Sequence, residues 1–201
     1  SSIVNTPLLG LYNVSNCLAA AGLCIAAGFD IEKIAAGLSA LKTIPGRLEK
    51  IDGGDFSVII DYAHTDDALK NVLTTLKPLC KGKLRVVFGC GGDRDKTKRP
   101  RMAKVAEELA DFVIVTSDNP RTEEPSDIIN DVVAGFEKGQ TQTIAIEPDR
   151  KKAVELAIKS AGKDDIVLIA GKGHEDYQII GTEKSHFSDK EIAQECLLGK
   201  E

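Results

Sequence analysis

Tryptophan is absent from the 201 residues, methionine occurs once, and aromatic side chains make up only 4% of the chain. A core built without large rings must come from Ile, Val, Leu and Ala, which is the composition of an α/β protein rather than a β-sandwich. The five cysteines, at positions 17, 24, 80, 90 and 196, show no paired metal-ligand spacing. With no secretory context they read as reduced thiols of a cytoplasmic protein. Basic residues are not in excess: the net charge is -5 and the pI is near 5.3, which leaves no electrostatic footprint for nucleic acid or an anionic membrane surface. No apolar run approaches the ~20 residues that cross a bilayer, which excludes membrane insertion as a helix. The phosphate loop GxxxxGK[ST] and the dinucleotide fingerprint GxGxxG are also missing. The start, SSIVNTPLLGLYN, has neither an initiator methionine nor a signal peptide, and the expectation is a cut into a longer protein.

What is present falls into two patterns. The first is helical: Val14, Leu18, Ala21 and Ile25 recur on one face, and Asp30 caps a second helix carrying Ile31, Ile34, Ala35, Leu38 and Leu41. Thr43-Ile44-Pro45-Gly46 breaks helix, placing a boundary between residues 1–46 and 47–201. Beyond it, apolar runs at 57–60, 84–88, 112–115, 143–146 and 166–169 alternate with helical stretches. One of these helices opens at Pro125, one begins near Asp149 with Ala153, Leu156 and Ala157 inward, and the last carries a capping box of Ser188 and Glu191. Strands alternating with helices predict a Rossmann-like, mostly parallel sheet with helices on both faces, preceded by a helical tail.

In such a sheet the loops after the strands share one edge, where ligands bind. Here those loops read DYAHTDD, GCGGDRDKTKRP, SDNPRTEEP and AGKGHEDYQ. In the third, Asp118 and Asn119 can hold a turn, Pro120 stiffens it, and Arg121 is presented as a two-pronged donor for a carboxylate or phosphate. In the second, Gly89, Gly91 and Gly92 let the backbone approach a ligand, while Arg94, Lys96, Lys98 and Arg99 supply positive charge. The fourth has Gly171 and Gly173 around Lys172, and Glu175 is either a surface residue or a carboxylate for an amine. Arginines for an acid beside a carboxylate for an amine suit an amino-acid substrate. In the first loop, Asp61 and His64 are either a cap and a packed histidine, or a metal or phosphate contact with a proton-transfer partner. Arg47 stands at the boundary, a common ligand position. Asn13 and Asn16, three apart on the first helix, are either capping residues or two amides facing one partner.

Taken together, YNVSN followed by AAAG, then GRLE, DYAHT, FGCGGDRDKTKRP, TSDNPR, DR at 149 and 150, and AGKGHE resemble the C-terminal part of the Mur ligases over essentially the whole chain. Among these the chain looks like the members that add meso-diaminopimelate. The resemblance implies an ATP- and Mg²⁺-dependent amide ligation in peptidoglycan synthesis. The side-chain carboxylate of the D-glutamate in UDP-N-acetylmuramoyl-L-alanyl-D-glutamate is phosphorylated, and the amine of the incoming amino acid attacks the acyl phosphate. Carried over by position, Arg94, Asn119, Arg121, Gly171 and Glu175 match residues that hold diaminopimelate. Asn13, Asn16, Arg47 and Asp61 match nucleotide contacts, and His64 lies by the phosphates as the catalytic candidate. The arginine of DNPR resembles the diaminopimelate form of that motif.

Two departures stand out. The family reads DYAHTP where this chain has Asp66, and the residues hold no phosphate loop, no central ATPase core and no domain for the UDP-sugar. ATP, Mg²⁺ and the UDP-linked dipeptide are therefore expected to bind mainly outside these residues, and the chain alone is expected to be inactive. The alternatives are a lysine-adding Mur ligase and a non-catalytic ligand-binding domain.

Overall fold

Six strands form one sheet in the computed structural model, which describes residues 2–137 and 143–199. They are β1 (Glu49–Asp52), β2 (Ser57–Asp61), β3 (Leu84–Phe88), β4 (Phe112–Val115), β5 (Ile144–Ile146) and β6 (Ile166–Ala170), in spatial order β1-β2-β6-β3-β4-β5. Every pairing is parallel except that of β1 with β2. The helices are α1 (Leu11–Ala26), α2 (Ile31–Ala40), α3 (Asp66–Leu76), α4 (Lys98–Leu109), α5 (Pro125–Val133), α6 (Arg150–Lys159) and α7 (Asp189–Leu198).

Successive strand residues point to opposite faces, so an unbroken apolar run needs two cores. On one face Ile59, Val86, Phe88, Val113, Val115 and Leu168 pack against α3, α4 and α5 through Leu69, Leu73, Met102, Ala106, Ile128 and Val132. On the other, Val58, Ile60, Val87, Ile114, Val167 and Ile169 pack against α6 and α7 through Ala153, Val154, Ala157, Ile158 and Ile192. Each fully buried Val, Leu or Ile stabilises by ~1.5–3 kcal/mol relative to exposure, and this holds the helices to the sheet. Asp30 accepts from the Glu32 amide at 2.7 Å, Asp149 from Lys152 at 3.2 Å and Ser188 from Glu191 at 3.3 Å, while the Glu191 carboxylate that the capping box would use turns to His186 Nε2 at 2.6 Å.

Several local expectations differ from what forms. On α1, Val14, Leu18 and Ile25 are 49, 68 and 52% exposed and Asn13 is the one buried residue, because no described element packs on that apolar face. Similarly, Leu156 of α6 is 42% exposed, since the buried face runs instead through Arg150, Ala153, Val154, Ala157 and Ile158. Helix α3 starts at Asp66 behind a Thr65 cap, and Asp66 bonds Arg101 at 2.9 Å. Two short elements escaped the apolar pattern because half-exposed charged strands carry none: β1, and the second strand of a hairpin formed by β7 (Tyr177–Ile180) and β8 (Glu183–His186). None of the five cysteines is joined in a disulfide.

Candidate functional site

Parallel β2, β3, β4 and β6 deliver their downstream loops to one rim, where backbone bonds lock the loops together. Gly171 N donates to Asp61 O at 3.0 Å, Thr116 N to Phe88 O at 3.0 Å and Gly92 N to Asn119 O at 2.9 Å. Beneath the rim, Arg150 and Asp189 pair with no exposed side-chain area, Nε to Oδ1 at 2.8 Å and Nη2 to Oδ2 at 2.7 Å. The same guanidinium donates to Ser117 O at 3.3 Å and Ala170 O at 3.0 Å, fastening the ends of β4 and β6. Burial opposes its charge, and Asp189 more than offsets this, so the arginine pKa is raised.

The centre of the rim is a polar cluster around Lys172, whose side chain is fully buried. Its ammonium donates to Asn119 Oδ1 at 3.0 Å and Tyr177 O at 2.7 Å, and pairs with Asp118 Oδ1 at 3.1 Å. Burial lowers the Lys172 pKa, and the Asp118 charge partly restores it. The other end of the Asn119 carboxamide donates to Glu175 Oε2 at 3.1 Å, and Tyr62 Oη donates to Glu175 Oε1 at 3.4 Å. Gly171, at φ 116°, sits where a Cβ would lie 3.4 Å from Asp118 Oδ2. Asn119, Gly171 and Glu175 thus meet in one place. Glu175 is not a free surface residue. Lys172, Asp118 and Tyr62 were missed as site residues, although a lysine between two glycines just after an apolar strand is a signal of backbone wrapped around a buried charge.

Arg121 adopts the left-handed conformation, φ 53°, in which non-glycine residues are uncommon. The hairpin holds it there: Arg121 N donates to Ile179 O at 3.1 Å and Gly181 N to Arg121 O at 2.7 Å, while Gln178 Nε2 donates to Asp118 O at 2.7 Å. Its Nη1 donates to Gly92 O at 2.9 Å. A Cβ on Gly91 would come within 3.0 Å of Arg121 Nη1 and 3.8 Å of Arg94 Cγ, so this glycine seats both arginines side by side. The glycines of this loop admit neighbouring protein rather than ligand, since a Cβ on Gly92 would collide with Pro120 O and one on Gly89 with Thr116 O.

The positive charge expected of the second loop is partly spent internally. Arg99 is fully buried between Glu123, at 2.9 Å, and Asp131, at 2.8 Å. Lys96 pairs with Glu123 at 2.9 Å, and Lys98 donates to His64 O at 2.7 Å. Arg94, exposed and bonded to its neighbour's carbonyl at 3.1 Å, stays on the rim.

Asp61 and His64 do not form a pair. The Asp61 carboxylate accepts from Leu48 N and Ala63 N, both at 2.8 Å, and burial raises its pKa against those bonds. The exposed His64 ring turns to Tyr62, with Nδ1 2.8 Å from its carbonyl oxygen and ring centroids 4.6 Å apart. The Arg47 guanidinium lies over the same Tyr62 ring, 5.1 Å from its centroid. Arg47 and Asp61 line a groove of about 850 Å³ whose apolar walls include Leu8, Leu11, Val14 and Val72. Neither Asn13 nor Asn16 caps α1, which starts after Gly10. Asn13 donates to Leu9 O at 2.7 Å, and Asn16 donates to Asn13 Oδ1 at 3.4 Å. Among the described residues no group of three or more His, Cys, Asp or Glu is placed to hold a metal ion, and no helix is long and apolar enough to cross a membrane.

Residues 46–173 match the family model described as Mur ligase, glutamate ligase domain. The chain is 52% identical over 194 residues to the UDP-N-acetylmuramoyl-L-alanyl-D-glutamate–2,6-diaminopimelate ligase of Gloeobacter violaceus, covering 96% of this chain and 39% of that protein. It is 54% identical over 193 residues to the ligase of the same name from Fusobacterium nucleatum, covering 95% and 39%. A solved structure of a ligase of that name aligns with TM-score 0.77 and 41% identity, over 98% of this chain and 40% of the other. The chain therefore spans about 39% of the length of the curated relatives it matches.

Proposed function

This chain belongs to the Mur ligase family, and we propose that it is the C-terminal part of an enzyme that adds meso-diaminopimelate to UDP-N-acetylmuramoyl-L-alanyl-D-glutamate. Residues 47–201 form the domain that receives the incoming amino acid, and residues 1–46 are the helical tail of the central ATP-binding domain. The observation that carries this reading is one rim that bears both charges: Arg94 and Arg121 beside Gly91, and Glu175 held by Asn119 and Tyr62. Meso-diaminopimelate has two amino-acid heads. A planar guanidinium matches the carboxylate of the head that lysine lacks, and Glu175 accepts an ammonium.

The reaction class is ATP-dependent amide ligation through an acyl phosphate, in the cytoplasm. The groove suits a nucleotide by its chemistry, with apolar walls for a base, the Asp61 carboxylate for hydroxyls and Arg47 for an anionic end. Asn13 and Asn16 lie on the adjoining helix, and His64 stands exposed between groove and rim as the candidate contact for phosphates. The nucleotide supplies the activation of the acceptor carboxylate. This chain's residues bind the amine donor, orient it through two fixed charges, and set its position relative to the activated group. The Mg²⁺ that the family implies finds no ligand set among the described residues.

A ligation assay on the full-length enzyme tests the reading. With ATP and the UDP-linked dipeptide, meso-diaminopimelate should be used with kcat/KM on the order of a hundredfold or more above L-lysine, because a site built to pair a charged group rejects an analogue lacking it. The 201-residue chain alone should give no turnover. Equal use of both amino acids, or turnover by the isolated chain, contradicts the proposal.

A further inference from the structure

We infer that Lys172 is a positioning residue of the amino-acid site, one that sets which way the Asn119 carboxamide faces and thereby holds Glu175 ready for an ammonium group. An ammonium only donates hydrogen bonds, so the atom of Asn119 facing Lys172 Nζ at 3.0 Å must be oxygen. The backbone of Ile179 donates to the same oxygen at 3.0 Å. Two donors on Oδ1 turn the amide nitrogen outward, where it donates to Glu175 Oε2 at 3.1 Å. A flipped amide would set NH₂ against both donors and oxygen against a carboxylate.

The lysine is itself held on every side. Its other contacts are Tyr177 O at 2.7 Å, Asp118 Oδ1 at 3.1 Å and, at the longer distance of 4.0 Å, Glu175 Oε2, with the Tyr177 and Phe187 rings 5.8 and 5.7 Å away. Its side chain has no exposed area, so it acts through Asn119 rather than on substrate. An apolar side chain would fill this fully buried site without the cost of desolvating a charge. A lysine there is thus explained by orientation, with both charge-bearing loops, after β4 and after β6, fixed by one cation.

This inference rests on the diaminopimelate reading above, and its test separates the two. In the full-length ligase, Lys172→Met should raise the KM for diaminopimelate about tenfold, the size of losing one hydrogen bond to a charged group, with the KM for ATP within about twofold of wild type. Asn119→Ala should do the same, and the double variant should lose no more than either single one. Because Lys172→Met leaves Asp118 without its nearest cation, Asp118→Asn/Lys172→Met serves as a charge-balanced second variant with the same expected KM pattern. An unchanged KM for diaminopimelate, a parallel rise for ATP, or additive losses with Asn119→Ala overturns the inference. If wild-type enzyme does not use diaminopimelate, the functional reading fails by itself. The Asn119 side-chain ¹⁵N resonances of the chain then still decide the role of Lys172: distinct, slowly exchanging amide protons in wild type that collapse to solvent-like values in Lys172→Met support it, and identical spectra overturn it.

Discussion

Asn119 Nδ2 donates to Glu175 Oε2 at 3.1 Å, joining residues 56 positions apart and tying the loop after β4 to the loop after β6. Through this bond the motif that carries the arginine and the motif that carries the carboxylate become one site.

In the proposed reading, Arg121 is the group that distinguishes diaminopimelate from lysine. Its backbone is held by the hairpin and Nη1 is committed to the carbonyls of Gly92 at 2.9 Å and Asn119 at 3.4 Å, which leaves the rest of the fork for a carboxylate. Arg121→Ala in the full-length ligase should lower kcat/KM for diaminopimelate by about 10–100-fold, as expected for ~1.5–3 kcal/mol of charged hydrogen bonding, while the KM for ATP stays unchanged. Equal losses for both substrates would sink the assignment.

Glu175 keeps its shape but loses its charge in Glu175→Gln, which still accepts from Tyr62. The KM for diaminopimelate should rise about tenfold at constant KM for ATP, because an amide attracts an ammonium less than a carboxylate does. Steady-state kinetics with either substrate varied will show this, and an unchanged KM would exclude Glu175 as the amine's partner.

The sheet was legible in the sequence because parallel strands buried on both faces are unbroken apolar runs, as Val86-Val87-Phe88 and Ile166 to Ile169 are. The rim followed from the same reading, since polar loops after parallel strands must share an edge. Charge alone did not reveal which side chains face outward. Arg99 looks like Arg94 in sequence, yet the first turn of α4 points it inward onto Glu123 and Asp131. Asp61 and His64 are close in the chain, but the Leu48 and Ala63 amides claim the carboxylate. Lys172 stayed hidden because lysine is almost never fully buried unless paired, and its partners, Asp118 and Asn119, are more than fifty positions away.

Asp189 is the counter-ion of a fully buried arginine, and its removal strands a charge. Asp189→Asn should lower unfolding stability by about 3–5 kcal/mol, the cost of breaking one partner out of a buried pair. Urea denaturation checks this, and a change under ~1 kcal/mol would mean that the Ser117 and Ala170 carbonyls suffice to hold Arg150.

Glu123 gives the fold an acid limit. Hydrogen bonds from Arg99, Lys96 and the Asp93 amide hold its carboxyl down at about 2 against an ordinary value of 4.5. Below pH 4.5 the unfolded chain takes up a proton that the folded chain refuses, so this contribution is complete above 4.5 and is lost as pH falls towards about 2. The urea midpoint of the chain should fall across that window, and Glu123→Gln should flatten the fall. Identical pH curves for the two proteins would contradict this role.

The proposed function requires that these residues contain a formed site for meso-diaminopimelate. Calorimetric titration of the 201-residue chain with meso-diaminopimelate, with L-lysine as the matched control, tests it most directly. Saturable one-to-one binding of diaminopimelate and no measurable binding of lysine is the predicted result. Lysine binding of equal strength, or no binding of either, would contradict it.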